Sequence, residues 1–260
     1  MDFNARHFHE ELRTSELGRF ALYRPEVDST MRLARREADE GAPHGTLVVA
    51  ERQTAGQARH GRTFLSSAGG NLYISLVLCG DALLDTPLPL VVPVALARAC
   101  RAAGVEARIK WPDDIWVGER KLGGTMIDLV TGAGESTAII GIGMNVNGDP
   151  AREHAELKSV ATSIHRELGR PADRERVLAL ICNNLEEALA ESPAGISDAY
   201  RADSMILGHR VVVRDDEGTR AGTATGITET GTLVVDNDEG TREELSSAEV
   251  FVVRREDTTP

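Results

Sequence analysis

A glycine-rich stretch at residues 53–71 separates two strand-like segments and limits what the chain around it can form. The stretch, QTAGQARHGRTFLSSAGGN, contains four glycines and two arginines and follows neither helical nor strand periodicity. Glycine lets backbone N–H groups approach a ligand closely, and the guanidinium of arginine matches phosphate and carboxylate oxygens. Two interpretations follow, an anion-binding loop or a mobile surface loop, because loops of this length are usually functional or disordered.

Composition limits the partners and the compartment. The net charge of −12 argues against a nucleic-acid-binding surface. No apolar run approaches the ~20 residues of a membrane helix, and the N-terminus carries no basic-then-apolar leader, so we expect a cytoplasmic protein that does not bind membranes. Cys79, Cys100 and Cys182 are far apart in apolar contexts, which favours buried thiols over a disulfide or a zinc site.

The hydrophobic pattern on both sides of the glycine-rich stretch predicts strands mixed with helices. Strands are predicted at residues 21–23, 46–50, 71–78, 107–111, 125–130 and within 136–147, with a hairpin around Gly118 and helices at about 31–41, 93–103 and 174–190. After Tyr200 the pattern changes to short, evenly spaced strands separated by Asp, Glu and Gly turns, which predicts a small β-barrel as a second domain.

Three polar residues stand where a ligand can be bound. Ser29 and Thr30 are at the predicted start of a helix, where they either cap the first turn or offer donors to a ligand. Lys110 ends an apolar strand beside Trp111 and Pro112, where a cation has little structural purpose. Ligand binding is therefore the favoured interpretation for Lys110, and both interpretations stay open for the other two.

Six motifs resemble, in order and spacing, those of the biotin–protein ligases. They lie at residues 28–30, 53–62, 69–73, 110–112, 121–124 and 141–147, and the segment 161–164 and the C-terminal strands extend the resemblance over nearly the whole chain. The resemblance implies an α+β fold: a mixed β-sheet flanked by helices, of the class II synthetase-like biotin/lipoate ligase type, followed by an SH3-like barrel. It implies a biotin- and ATP-binding catalytic domain at 1–205 and the barrel at 206–260.

The resemblance also implies a two-step reaction. The carboxylate of biotin attacks the α-phosphate of ATP, which gives biotinyl-5′-adenylate and pyrophosphate, and a lysine amine of a biotin carboxyl carrier protein then takes the biotinyl group. This reaction brings two negatively charged groups together. The repulsion between two unit charges ~4 Å apart is about 4 kcal/mol in an effective dielectric of ~20. Cations must therefore be in place, with Mg²⁺ on the leaving pyrophosphate.

The site residues follow from the motif positions. Lys110 and Arg59 are implied as catalytic residues. The biotin-binding set is Ser29, Thr30, Gln53, Gly56, Tyr73, Lys110, Gly124 and Gly143. The ATP- and phosphate-binding set is Gln57, Arg59, Arg62, Phe64, Asn71 and Asn145, and Asn145 is also the candidate metal ligand, although an Asn after a glycine-containing strand is equally a turn former.

Several alternatives stay open. A lipoate–protein ligase shares the fold and the adenylate chemistry, and a catalytically weakened homologue would only bind biotin or the carrier. Some family members begin with a winged-helix DNA-binding domain, and we expect this chain to be of the kind without it, because only about twenty residues precede the first matching strand. We expect a monomer or a weak homodimer, and the role of the barrel is left open.

Four residues depart from the family pattern. Gln57 and Ala58 stand where the family usually has arginine and glycine, Phe64 replaces a tryptophan, and Asp113 replaces an asparagine. One phosphate-facing cation is therefore missing, and a negative charge is added beside the phosphate site. We expect slower adenylation, or weaker retention of the adenylate, than in a relative with the usual loop.

Replacing Gln57 with arginine is expected to tighten nucleotide binding, because it restores a guanidinium that can bind phosphate oxygens. A nucleotide titration of the wild type and of Gln57→Arg measures the difference. An unchanged affinity would reject the proposed cost of the missing cation.

Overall fold

The computed structural model describes residues 3–56, 70–131, 135–148, 157–215 and 218–252. Within these ranges the chain forms two β-sheets, with helices packed on the first. The helices are α1 (Ala5–Glu11), α2 (Thr30–Asp39), α3 (Leu88–Ala102), α4 (Ile164–Leu168), α5 (Arg174–Leu189) and α6 (Pro193–Asp203), with a 3-10 helix at Asp81–Leu84. The strands are β1 (Ala21–Val27), β2 (Thr46–Gln53), β3 (Leu72–Cys79), β4 (Arg108–Lys110), β5 (Asp114–Val117), β6 (Arg120–Val130), β7 (Thr137–Met144), β8 (Arg210–Asp215), β9 (Gly218–Ile227), β10 (Leu233–Asn237), β11 (Arg242–Leu245) and β12 (Glu249–Val252).

The first sheet has seven strands in the order β1-β2-β3-β7-β6-β5-β4. It is mixed, because β1 runs parallel to β2 and the other neighbours are antiparallel. Its central strands, β3 and β7, are buried along almost their whole length. Side chains alternate between the two faces of a strand, so Val48, Val77 and Ile139 pack under α2, while their chain neighbours face the main core with α3 and α5.

The second sheet has five antiparallel strands in the order β11-β10-β9-β8-β12. Its buried side chains belong to the same apolar cluster as the main core of the first sheet. Together the two sheets confirm the predicted fold class, a mixed sheet flanked by helices and followed by a C-terminal β-unit.

Hydrogen bonds join the C-terminal part of the chain to the end of β4. The indole Nε1–H of Trp111 donates to the carbonyl oxygen of Gly231 at 2.8 Å. The backbone N–H of Met205 donates to the carbonyl oxygen of Ile109 at 2.9 Å. The strand end that carries Lys110 is therefore held by contacts on both sides of it.

Some element boundaries differ from the sequence predictions. The helix predicted to start at Pro93 begins at Leu88, with Pro89 in its first turn. Proline is tolerated there because backbone N–H groups of the first turn have no acceptor within the helix. β1 continues through Pro25, which an edge strand tolerates. β11 was not predicted, because its sequence, REEL, offers a single apolar side chain.

The three cysteines are free thiols. Cys100 and Cys182 are buried as predicted, and burial raises the pKa of each thiol to about 12, whereas Cys79 is partly exposed. Among the described residues, no helix is both long enough and apolar enough to cross a membrane.

Gly123→Ala is expected to destabilise the first sheet. A Cβ at this position would lie 2.6 Å from the backbone oxygen of Gly143 and 3.2 Å from Cα of Met144, so β6 and β7 would have to shift. We expect a loss of about 1–3 kcal/mol in the free energy of unfolding, measured by urea denaturation. Gly226→Ala is the matched control, because a Cβ there meets only the Val234 side chain, at 3.7 Å. Equal losses in the two variants would contradict this account.

Candidate active site

A cleft of about 530 Å³ opens between the N-terminus of α2, strands β6 and β7, the end of β4 and strand β12. It brings together six residues that the sequence predicted for the site: Ser29, Thr30, Gln53, Lys110, Gly124 and Gly143. It is also lined by residues that were not predicted, among them Met31, Asp114, Lys121, Met126, Gly141, Arg214, Glu249 and Phe251. The last three belong to the second sheet, so both sheets build the cleft.

A hydrogen-bond network at the start of α2 shapes one wall. Gln53, at the end of β2, accepts with its Oε1 from the backbone N–H and the hydroxyl of Thr30, at 2.8 and 3.1 Å. The hydroxyl of Ser75 donates to that of Thr30 at 3.0 Å. Ser29 occupies the N-cap position but makes no side-chain capping bond. One interpretation of Ser29 and Thr30 was that they cap the first turn of this helix. In the structure the side chain of Gln53 accepts the hydrogen bond from that turn instead.

Glycines in β6 and β7 make space along the floor of the cleft. Gly124 pairs directly with Gly143 across the two strands. A Cβ on Gly141 would lie 2.7 Å from Sδ of Met31, and a Cβ on Gly124 would lie 2.8 Å from Oδ1 of Asp114. Side chains from α2 and β5 thus lie directly over glycines, as predicted for strand glycines that allow a close approach.

Lys110 places an ammonium in the cleft at the end of β4. Its Nζ lies 4.3 Å from the ring centroid of Trp116 and 5.3 Å from that of Phe251, both within the range of a cation–π contact. Burial lowers the pKa of Lys110 and the charge of Lys121 acts in the same direction, while Asp114 and Glu249 oppose the shift. The cation is thus partly removed from water. Its field on a bound anion is therefore less screened than it would be in solution.

A second lysine in the cleft is already paired. Nζ of Lys121 lies 2.6 Å from Oδ1 of Asp114, across the hairpin formed by β5 and β6. The sequence motif at 121–124 contained this residue, but only the fold brings it into the same cleft as Lys110, where its charge acts on that lysine. Trp116 is half-buried, and its ring contacts the Lys110 ammonium.

Asn71 holds the chain that follows β7. Its Oδ1 accepts from the backbone N–H groups of Val146 and Gly148, both at 2.9 Å, and its Nδ2 donates to the hydroxyl of Tyr73 at 3.2 Å. Nδ2 of Asn145 donates to the carbonyl oxygen of Thr162 at 3.0 Å. In these contacts both asparagines fix backbone, and their ligand roles, like that of buried Tyr73, stay predictions.

The remaining predicted residues belong to the glycine-rich stretch. Gly56 is buried and is the last residue of the described range 3–56. Gln57, Arg59, Arg62 and Phe64 lie outside the described residues.

Comparison with known proteins gives two family matches along this chain. Residues 23–145 match the biotin/lipoate A/B protein ligase family, and residues 206–253 match the biotin protein ligase C-terminal domain. The bifunctional ligase/repressor BirA of Bacillus subtilis is 33% identical over 244 residues, which cover 91% of this chain and 75% of that protein. The chain belongs to the biotin/lipoate A/B protein ligase family.

Further relatives of this ligase family support the assignment over most of the chain. The biotin–[acetyl-CoA-carboxylase] ligase of Paracoccus denitrificans is 32% identical over 222 residues, covering 81% of this chain and 92% of that protein. The structure of the biotin protein ligase from Aquifex aeolicus in complex with biotin and ATP is similar with a TM-score of 0.76 at 29% identity, covering 91% of this chain and 99% of that one.

Thr30→Val is expected to destabilise the ligase fold by about 1–3 kcal/mol, because it removes the acceptor of the buried Ser75 hydroxyl. Urea denaturation of Thr30→Val, Ser75→Ala and the double variant measures the coupling. In the Thr30→Val background, Ser75→Ala should cost less than in the wild type, because the hydroxyl it removes no longer has its partner. Strictly additive losses would show that the two hydroxyls do not interact.

Proposed function

We propose that the chain activates biotin with ATP to biotinyl-5′-adenylate and transfers the biotinyl group to a lysine of a biotin carboxyl carrier protein. The observation that carries the proposal is the position of the Lys110 ammonium in one cleft with the uncharged polar wall at Ser29 and Gln53. The matches to biotin protein ligases in both parts of the chain support the same reaction.

The cleft suits the two ends of biotin. The uncharged ureido ring needs donors and acceptors on both sides, and Ser29, Thr30 and Gln53 offer them at the α2 wall. The apolar part of the molecule needs a slot, and Met31 and the strand glycines, which line the cleft, are proposed to contact it. With the ring at α2, the carboxylate at the other end of the molecule is assigned to Lys110.

Lys110 is assigned the charge chemistry of the first step. A carboxylate oxygen of biotin forms a bond to the α-phosphorus of ATP, and the bond from that phosphorus to the bridging oxygen breaks as pyrophosphate leaves. A compact ammonium beside both groups offsets the repulsion between them and stabilises the charge that develops. In the second step a carrier amine attacks the acyl carbon, loses a proton and displaces AMP.

The other predicted residues keep their roles as proposals. Arg59 is proposed as a second catalytic cation, with Gln57, Arg62, Phe64, Asn71 and Asn145 on the nucleotide side, and Gly56, Tyr73, Gly124 and Gly143 around biotin. We divide the chain at residue 205 into the catalytic domain and the C-terminal domain. The proposed setting is the cytoplasm, with the carrier protein as macromolecular partner, no nucleic acid or membrane, and a monomer or weak homodimer.

Mg²⁺ is proposed to enter the site with ATP. Among the described residues, no three His, Cys, Asp or Glu side chains gather to hold a metal ion. Where Mg²⁺ acts with a nucleotide, it is usually held by substrate phosphates with one or two protein oxygens. Oδ1 of Asn145 is the candidate protein ligand, and bound Mg²⁺ would neutralise charge on the leaving pyrophosphate.

A pyrophosphate-exchange assay with biotin and lipoate supplied separately tests the reaction. Exchange that depends on biotin, followed by a mass gain on a purified carrier domain, is the expected result. Exchange with lipoate alone would identify a lipoate ligase. Biotin-dependent melting without exchange would identify a binding protein that has lost the reaction.

Lys110→Gln is expected to lower biotin-dependent exchange by at least about 100-fold, the usual cost of losing a preorganised electrostatic group. The biotin-dependent rise in melting temperature should persist, because the ureido contacts remain. Lys158→Gln is the matched control, because this exposed lysine lies outside the cleft. Near-normal exchange in Lys110→Gln would remove this residue from the mechanism.

A further inference from the structure

Phe251 is a large apolar side chain left partly in water at the edge of the cleft. It lies on β12 and remains 44% exposed, whereas its neighbour Val250 is buried in the core. Alternation along the strand turns Phe251 to the face opposite Val250, and its ring lies 5.3 Å from Nζ of Lys110. The Phe251 ring therefore lines the cleft and is not part of the buried core.

We infer that Phe251 is a positioning residue for Lys110, which it holds from the C-terminal sheet against the ring of Trp116. The inference rests on the proposed function and extends it, because it assigns a residue of the second sheet to the catalytic lysine. β4 is a three-residue edge strand, and a lysine side chain at its end has several rotatable bonds. Two aromatic faces restrict the ammonium to the space between them.

The second sheet is fixed well enough to act in this way. Trp111, the residue after Lys110, donates its indole N–H to Gly231, and the apolar core is continuous between the sheets. Phe251 is itself contacted by the guanidinium of Arg214, 5.6 Å from the ring centroid. The ring therefore contacts two cations, one of which is the catalytic lysine.

Charged groups face Lys110 from each strand around it. Asp114 of β5 and Glu249 of β12 favour its charged form, while Lys121 of β6 and burial disfavour it. Arg214 of β8 adds a positive charge close to the Phe251 ring. A ring face stabilises the charged form as well, so its loss should lower the pKa of Lys110 provided that the apolar cover stays.

Two substitutions separate the ring face from the apolar cover. Phe251→Leu keeps apolar volume and removes the aromatic face, and Phe251→Tyr keeps the face. Phe20→Leu is the matched control: Phe20 is 52% exposed and precedes β1, at the opposite edge of the first sheet from β4. Melting temperatures establish that each full-length variant is folded.

In pyrophosphate exchange, Phe251→Leu is expected to lower kcat about 3- to 10-fold, the range of a partly desolvated cation–π contact, with KM for biotin within about twofold of wild type. The alkaline limb of its pH profile should move to lower pH by ~0.3–0.7 unit. Phe251→Tyr and Phe20→Leu should retain the wild-type kcat and pH profile. A wild-type kcat and limb in Phe251→Leu, a faster Phe251→Leu enzyme, or an equal loss in Phe251→Tyr would overturn the inference.

Competitive labelling of lysines with acetic anhydride, followed by mass spectrometry, tests the contact without the reaction. The pH dependence of Lys110 labelling should shift in Phe251→Leu and stay unchanged in Phe251→Tyr and Phe20→Leu. If the wild type shows no biotin-dependent exchange but this shift occurs, the proposed function fails while the contact stands. An unshifted labelling profile in Phe251→Leu overturns the inference whatever the exchange assay gives.

Discussion

A lysine ammonium partly removed from water requires compensation, and the arrangement around Lys110 supplies it. Two aromatic rings, the carboxylates of Asp114 and Glu249, and the end of a short edge strand surround the charge. Burial makes the cation less screened and therefore more effective on an anion. The environment of the ammonium also depends on how the two sheets dock, because Glu249 and Phe251 belong to the second sheet.

The cleft combines two chemically different surfaces. At the α2 wall, Gln53 and Thr30 bind each other through neutral polar groups, and the charge lies at the other side with Lys110. Between them, strand glycines let Met31 and Asp114 lie close to the backbone. A ligand with an uncharged polar head, an apolar middle and an anionic end matches this order, which is why the geometry and the family assignment lead to the same substrate.

The sequence motifs identified several of the cleft residues that lie within those motifs. Ser29, Thr30, Gln53, Lys110, Gly124 and Gly143 were assigned from motifs that resemble those of the biotin–protein ligases, and one cleft brings them together. Arg214, Glu249 and Phe251 were not predicted, because their place depends on how two sheets dock, which no local periodicity encodes. Asn71 shows a different limit: an amide that can bind a ligand can equally bind backbone, and sequence does not distinguish the two.

The indole of Trp111 has a consequence for how freely the two parts of such a chain can be exchanged. Its N–H bond to Gly231 and the continuous core mean that neither sheet ends at a clean, solvent-adapted surface. A C-terminal unit grafted from a relative would have to bring a carbonyl to the same place and fill the same apolar volume. The two parts of the chain match two separate family models, but in the structure they share one core and are not independent units.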